Sequence, residues 1–377
     1  MDIALLRSLL PITKNLVFLD HAGVAPISTR TSDAIAAAAR AQAEFGGTAS
    51  ARLYAKIDQT RGLAATLLNS RLQEIAFVKN TSEGISFVAE GLPWEEGDNV
   101  IIPAGEYPAN VYPWMNLARR GVEVRFARRE GFSIPAENIF ACVDSRTRAI
   151  SVSFVQYSTG FRMDLKKIGK FARKHNIFFN VDAIQGLGSL PFSVEELGID
   201  ACAADAHKWL LGPEGIGIFY IRGGALERIR PVEVGWKSVE HPLEFEKLDF
   251  TLRRDASRFE CGTPNVFGIH GLSASIELLL EVGIGSISAR LKVLTDLLVR
   301  GLEERRFEIV SSRRENEWSG IVSFRKEGLD PQALRNKLFQ EGIVLSVREG
   351  FLRASPHFYN TEEEIERFLK SLYQNAT

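Results

Sequence analysis

Cysteine is scarce. Cys142, Cys202 and Cys261 are odd in number and widely spaced, which excludes a disulfide framework and any familiar zinc pattern and makes a reducing, cytoplasmic setting the expectation. An excess of either charge is also missing. Lys and Arg number 46 against 47 Asp and Glu, a net charge of -1, so no global basic field argues for nucleic acid or an anionic membrane. No apolar run approaches the roughly 18 residues of a membrane span. The opening Met1-Asp2, with Arg7, lacks the basic region and apolar core of a targeting segment. No internal repeat or low-complexity tract is present. No G-x-G-x-x-G turn follows the first strand, which weighs against a nicotinamide-dependent dehydrogenase.

What is present is a chain of 377 residues, 45% hydrophobic and 25% charged, long enough for two domains and a large core. A small-molecule partner is the expectation, and no metal site is read. Leu16 to Leu19 form a short apolar strand that breaks into the small-residue loop Asp20-His21-Ala22-Gly23, followed by helical sequence to about Asn69. Seven strand candidates come next: Ile75–Val78, Val100–Pro103, Val122–Phe126, Ala149–Val155, Ile177–Val181, Ala201–Ala204 and Ile216–Ile221. Most are continuously apolar, as in strands covered on both faces, and amphipathic stretches such as Asp164–His175 separate several of them. The pattern predicts a doubly wound α/β domain with a mostly parallel sheet over about 20–262. Beyond it, two long helices, strands near Phe307–Val310, Ile321–Phe324, Val344–Val347 and Phe351–Ala354, and a capping box at Thr361-Glu362-Glu363-Glu364 predict a smaller α/β domain over 263–377, joined by segment 1–19.

Three stretches carry chemistry. Asn80-Thr81-Ser82-Glu83-Gly84 lies between a strand and a helix, where free N–H groups and hydroxyls can hold a phosphate; an ordinary helix cap is the plainer reading of this stretch alone. Asp182, in Val181-Asp182-Ala183-Ile184-Gln185, ends a buried strand, and ligands of open α/β sheets bind at such ends. Lys208 follows Asp205-Ala206-His207 at another strand end and precedes a Gly/Pro turn. Apolar surroundings disfavour its ammonium form and free the amine to attack a carbonyl. An amine, a carboxylate and an anion cradle at successive strand ends are what a pyridoxal phosphate site needs.

These motifs, in this order, resemble the class V aminotransferase family, the group of cysteine desulfurases, selenocysteine lyases, kynureninases and isopenicillin N epimerase-like proteins. The resemblance spans nearly the whole chain. It implies a fold type I transferase with pyridoxal 5'-phosphate as cofactor and Lys208 as its Schiff-base residue. Asp182 then pairs the pyridine nitrogen, Gln185 contacts the phenolic oxygen, and Thr81, Ser82 and His207 lie near the phosphate. Tyr107, in Glu106-Tyr107-Pro108-Ala109-Asn110, stands where desulfurases usually carry His, and implies a ring stacked on the cofactor. Gln156 and Tyr157 are further cofactor contacts by the same likeness. Gly262-Thr263-Pro264-Asn265 resembles the loop that reaches the neighbouring subunit's phosphate, implying a homodimer with shared sites. Arg353 matches the arginine for the substrate carboxylate, with His21 and Ala22 in the N-terminal substrate loop.

The chain departs from that pattern at further positions besides Tyr107, one of them Tyr157, which stands where an Asn often lies near the cofactor ring. A desulfurase carries a mobile-loop cysteine shortly before the arginine; here the sequence reads Arg348-Glu349-Gly350-Phe351-Leu352, so persulfide chemistry is not expected. Asp205 stands where relatives carry a phosphate-binding Ser or Thr, and a carboxylate would repel phosphate; Asp205 is expected to face His207, a backbone donor or water. The expected activity is aminotransferase-type chemistry on a small amino acid. A C–S lyase or an epimerase is the alternative, and a non-catalytic protein of the same fold is the rival class.

Overall fold

The computed structural model describes residues 2–376. Strand β1 is Val17–Phe18. The seven-stranded sheet takes β2 (Ile75–Val78), β3 (Asn99–Pro103), β4 (Glu123–Ala127), β5 (Thr147–Ser153), β6 (Phe178–Asp182), β7 (Ala201–Asp205) and β8 (Gly217–Ile221) in the order β2-β8-β7-β6-β5-β3-β4. Only β8 runs antiparallel to its neighbours. Every residue of β2, β3, β6, β7 and β8 is buried, which is why these strands read as continuous apolar runs. The edge strand β4 is largely accessible and carries Arg125, paired with Glu123 and Asp144. Such a charged edge discourages pairing with another chain.

The helices Thr29–Phe45 and Ser50–Leu68 pack on Val266–Val282, a helix apolar almost all round and largely buried. No single helix is long and apolar enough to cross a membrane. The second sheet is antiparallel, with order β12-β13-β10-β9, from β9 (Glu308–Ile309), β10 (Val322–Arg325), β12 (Ser346–Arg348) and β13 (Phe351–Ala354). The helix opened by the Thr361–Glu364 capping box buries Ile365, Phe368, Leu369 and Leu372, and Phe368 packs with Phe324 and Leu298 in this sheet's core.

The strand expected over Val344–Val347 is two strands. Ile343–Val344 (β11) pairs in parallel with β1, whereas β12 pairs with β13. Leu345 is the joint, because consecutive residues serve different partners. The β1–β11 pairing brings the loop after β1 to the large sheet. There Asp20 bridges to Ser355, and the Ala25 N–H donates to the His207 carbonyl at 2.8 Å.

The chain fills the sheet to both sides of the β3–β5 junction: β4 lies outside β3, and β5, β6 and β7 follow on the other side. A crevice forms where strand order reverses, at the carboxyl ends of the parallel strands. The segments leaving β3 and β5, Glu106-Tyr107 and Gln156-Tyr157, flank it.

Candidate active site

A cavity of about 590 Å³ opens above these strand ends, lined among others by Lys208, Asp182, Gln185, Thr81, Ser82 and Arg353. Asp182 is the last residue of β6. Its Oδ1 accepts from the Ile184 N–H at 3.0 Å, so the carboxyl caps its own turn as well as facing the cavity. Burial pushes it up to about 6, against the opposing pull of the Lys208 charge.

Lys208 leaves β7 on a tight turn closed by the Leu211 N–H on the Lys208 carbonyl at 3.0 Å. Leu211 sits at φ +54°, a region that side chains rarely occupy, so the turn holds backbone strain beside the lysine. Trp209 is fully buried; its indole N–H donates to Gln185 Oε1 at 3.0 Å, and Gln185 Nε2 donates to the Ala22 carbonyl at 3.0 Å. A Cβ on Gly320 would come within 2.4 Å of the Trp209 ring, so the indole has no room to swing. Burial pushes the Lys208 amine down to about 8, helped by Arg353 and Arg348 and opposed by Asp182 and Asp205. An amine there is partly free near neutral pH.

Asp205 ends β7. Its Oδ1 accepts from the Thr81 N–H at 2.5 Å, its Oδ2 lies 3.6 Å from His207 Nδ1, and its own N–H donates to the Thr81 hydroxyl at 3.0 Å. The backbone donor is thus the main partner, with His207 second. Burial pushes the Asp205 carboxyl up to about 7, whereas His207 is pushed down. Thr81 begins the Thr81–Gly91 helix, so this carboxyl occupies one of the helix's free N–H groups. Ser82, beside it, also faces the cavity.

The Tyr107 ring centroid lies 5.6 Å from Lys208 Nζ and meets Tyr157 edge to face at 5.1 Å. The Tyr157 hydroxyl donates to Glu349 at 2.9 Å, and its phenol is pushed up to about 12 by burial and then by that carboxylate. Arg353 is 1% exposed. Its Nε donates to Ser346 Oγ at 3.1 Å, Nη1 to the Tyr157 carbonyl at 2.7 Å, and Nη2 to Asp20 at 3.1 Å. A guanidinium has five N–H donors, so two remain beyond these three bonds.

Two expected contacts, His21 and Gln156, lie elsewhere, and the loop of Gly262 and Thr263, expected to serve a neighbouring subunit, is also outside this cavity. His21 is fully buried, with Nδ1 on the Ser355 carbonyl and Nε2 on the Tyr359 hydroxyl, and its ring packs among Phe18, Trp209 and His357. It ties the N-terminal loop to the C-terminal segment and does not line the cavity. Gln156 donates at 3.0 Å to Glu106, which also accepts from the Ser153 N–H at 2.7 Å and the Ser153 hydroxyl. That buried carboxyl is pushed up to about 7 by desolvation. Gly262 and Thr263 line a separate hollow with Lys79 and Glu83. Ala22, Tyr107, Tyr157 and His207 do line the Lys208 cavity.

Asp20, Ser153 and Arg348, to which the sequence assigns no role, also line the cavity. A serine ending a strand that pairs with the Asp182 strand is a signal that could have found Ser153. As a receptacle for the cofactor implied by the sequence, the cavity fits at Lys208, Asp182, Gln185 and Ser82, which supply an amine, a carboxyl, an amide and a hydroxyl. It fits less well at Asp205, whose carboxyl takes the Thr81 N–H a phosphate would use.

The family model described as aminotransferase class-V matches residues 17–368. A probable cysteine desulfurase of Methanothermobacter thermautotrophicus is 31% identical over 86% of this chain and 85% of its own length. A cysteine desulfurase of Klebsiella pneumoniae is 30% identical over 86% and 84%. Among solved structures, the cystine C–S lyase C-DES with its product cysteine persulfide superposes with a TM-score of 0.91 at 26% identity, covering 97% of this chain and 99% of that one. A lysine variant of C-DES with glycine covalently linked to its pyridoxal phosphate cofactor gives a TM-score of 0.92 at 26% identity, covering 97% and 98%.

Proposed function

The chain belongs to the class V aminotransferase family, and from that premise we propose a homodimeric pyridoxal phosphate enzyme acting at the α-carbon of an amino acid, with aminotransferase-type chemistry. One observation carries the reading: Lys208, its amine pushed down to about 8, shares one cavity with Asp182 at the end of the neighbouring strand. When bound, pyridoxal phosphate supplies an aldehyde for the substrate amine and a ring that accepts the electrons of the broken Cα–H bond.

The remaining work falls to the chain. Lys208 would hold the cofactor covalently and, once its amine is released, would take the proton from Cα and deliver it to the cofactor's aldehyde carbon, the transfer that transamination needs. An amine near 8 is suited to both directions. Asp182, ionised above about 6, would keep a proton on the ring nitrogen. The two unengaged N–H donors of Arg353 grip the α-carboxylate in a two-bond fork, which orients the Cα–H bond towards Lys208. Tyr107 would cover one face of the ring, Gln185 would meet its oxygen, and Ser82 would hold the phosphate at the helix N-terminus, where the Thr81 N–H is already given to Asp205. Gly262 and Thr263, facing away from this cavity, serve the site of a second copy.

A second reading is a C–S lyase working without a cysteine. It is supported by the likeness to the cystine lyase and by the position of the three cysteines, none of which lines the Lys208 cavity. Borohydride reduction followed by peptide mapping tests the first step, with the label expected on Lys208; a label elsewhere overturns it. Incubation with an amino-acid panel separates the chemistries. Keto acid with pyridoxamine phosphate supports transamination; pyruvate with ammonia and sulfide, and no pyridoxamine phosphate, supports the lyase.

A further inference from the structure

Arg348 is a second guanidinium in the same cavity that the mechanism above does not use. In the β12–β13 hairpin, Ser346 lies opposite Arg353 and Arg348 opposite Phe351. Side chains alternate along a strand and opposed residues share a face, so Arg348 and Arg353 project from one face as diagonal neighbours, roughly 7–8 Å apart at the backbone. The joining turn has only two residues, Glu349 at φ +48° and Gly350 at φ +81°. Two positive φ values match the twist of a tight hairpin, so Arg348 is held by the strand ladder and not by a long loop.

The two arginines differ in their partners. Arg353 is answered by Asp20 at 3.1 Å. The carboxylate next to Arg348 is engaged elsewhere: Glu349 receives the Tyr157 hydroxyl at 2.9 Å and Arg129 at 3.4 Å. Among the described residues Arg348 has no ion pair, and its one hydrogen bond runs from Nη1 to the Val347 carbonyl at 2.8 Å. Its charge nonetheless reaches the site, since it is one of the groups that lower both the Lys208 amine and the Arg353 guanidinium. A half-buried cation beside two others is unfavourable until an anion joins it.

We propose that Arg348 is a specificity-determining residue that binds a second carboxylate, and that the preferred amino acid carries that carboxylate on its side chain. The inference rests on the reading that Arg353 holds the α-carboxylate. A neutral side chain leaves Arg348 without its partner, and a site built around a charged contact discriminates against the isostere that lacks it.

The test is titration of the cofactor-loaded protein, read by the cofactor's absorbance band. Aspartate and glutamate are compared with asparagine and glutamine, and α-aminoadipate with norleucine. In the wild type the acidic member of each series is expected to bind at least roughly tenfold more tightly for the best-fitting length. Arg348→Gln is expected to reduce that ratio to within about twofold, and Arg348→Lys, which keeps the charge without the fork, to retain part of it. No acidic preference at any length in the wild type overturns the proposal, as does a preference that survives in Arg348→Gln. Should that variant fail to fold, the wild-type titration and Arg348→Lys still decide. If neutral and acidic amino acids perturb the band equally, only this inference falls; if none perturbs it, the proposed function falls as well.

Discussion

The cavity has a floor and a wall, and they are built differently. The floor comes from the carboxyl ends of three adjacent parallel strands of the large sheet, where Ser153, Asp182 and Asp205 are all buried, with Lys208 on the turn beyond. Each of those three side chains has a bonded partner, and burial pushes both aspartates up. The wall comes from a short hairpin of the small sheet, where one arginine is enclosed by three contacts and the other keeps most of its donors free. Groups held deep in a sheet have their proton affinities set by desolvation. Groups on a hairpin present charge to whatever enters. In the proposed function the floor carries the chemistry and the wall the choice of substrate.

The largest expected effect breaks the floor. Lys208→Ala should lose the borohydride-fixable cofactor and lower turnover by roughly 10³-fold or more, as removal of both covalent anchor and base implies. Mass spectrometry and single-turnover absorbance check it, and a reducible linkage retained in that variant would refute the assignment. Asp182→Asn leaves the shape of the floor but removes the carboxylate. Turnover should fall by roughly 10²-fold, with KM changing much less.

The wall should give the opposite split. Arg353→Lys is expected to raise KM for amino acids by about tenfold while turnover falls less, because the two-bond fork is lost and the charge is kept. Steady-state kinetics on one amino acid compares the two variants, and equal splits would erase the distinction between floor and wall.

The smallest effect concerns protons. The folded Asp205 carboxyl sits at about 7, above its ordinary value of 3.8, so the folded state keeps a proton that the unfolded chain has lost. Stability of the cofactor-free protein should therefore fall as pH rises from about 4 to about 7. Glu106, at about 7, and Asp182, at about 6, act with the same sign. Asp205→Asn should flatten that fall by something on the order of 1 kcal/mol. Urea denaturation across this range measures it, and a pH profile parallel to the wild type would show that Asp205 does not titrate there.

Much of this was legible in the sequence, for a physical reason. Strands covered on both faces must be apolar throughout, and all seven candidates form the large sheet. Lys208 and Asp182 were legible because a polar residue ending such a run has few places to be. The run 344–347 misled because a change of pairing partner at Leu345 leaves no mark on apolar pattern. His21 misled because a histidine in a small-residue loop does not reveal that two oxygens from 355 and 359, over 300 residues away, enclose it. Arg353 was legible by its likeness to a carboxylate-binding arginine, whereas Arg348 carried no signal until the register put it on the same face.

The turn at Glu349 and Gly350 has a consequence for how such a chain changes over generations. A flexible surface loop costs only about 0.6 kcal/mol for each doubling of its length, so beyond the loss of this matched tight turn folding sets little further limit on growth here. An insertion there leaves the Ser346–Arg353 pairing untouched and adds a movable arm above Lys208. The turn is thus the one place in this hairpin where length can change with the strand register, and with it Arg353, left as it is.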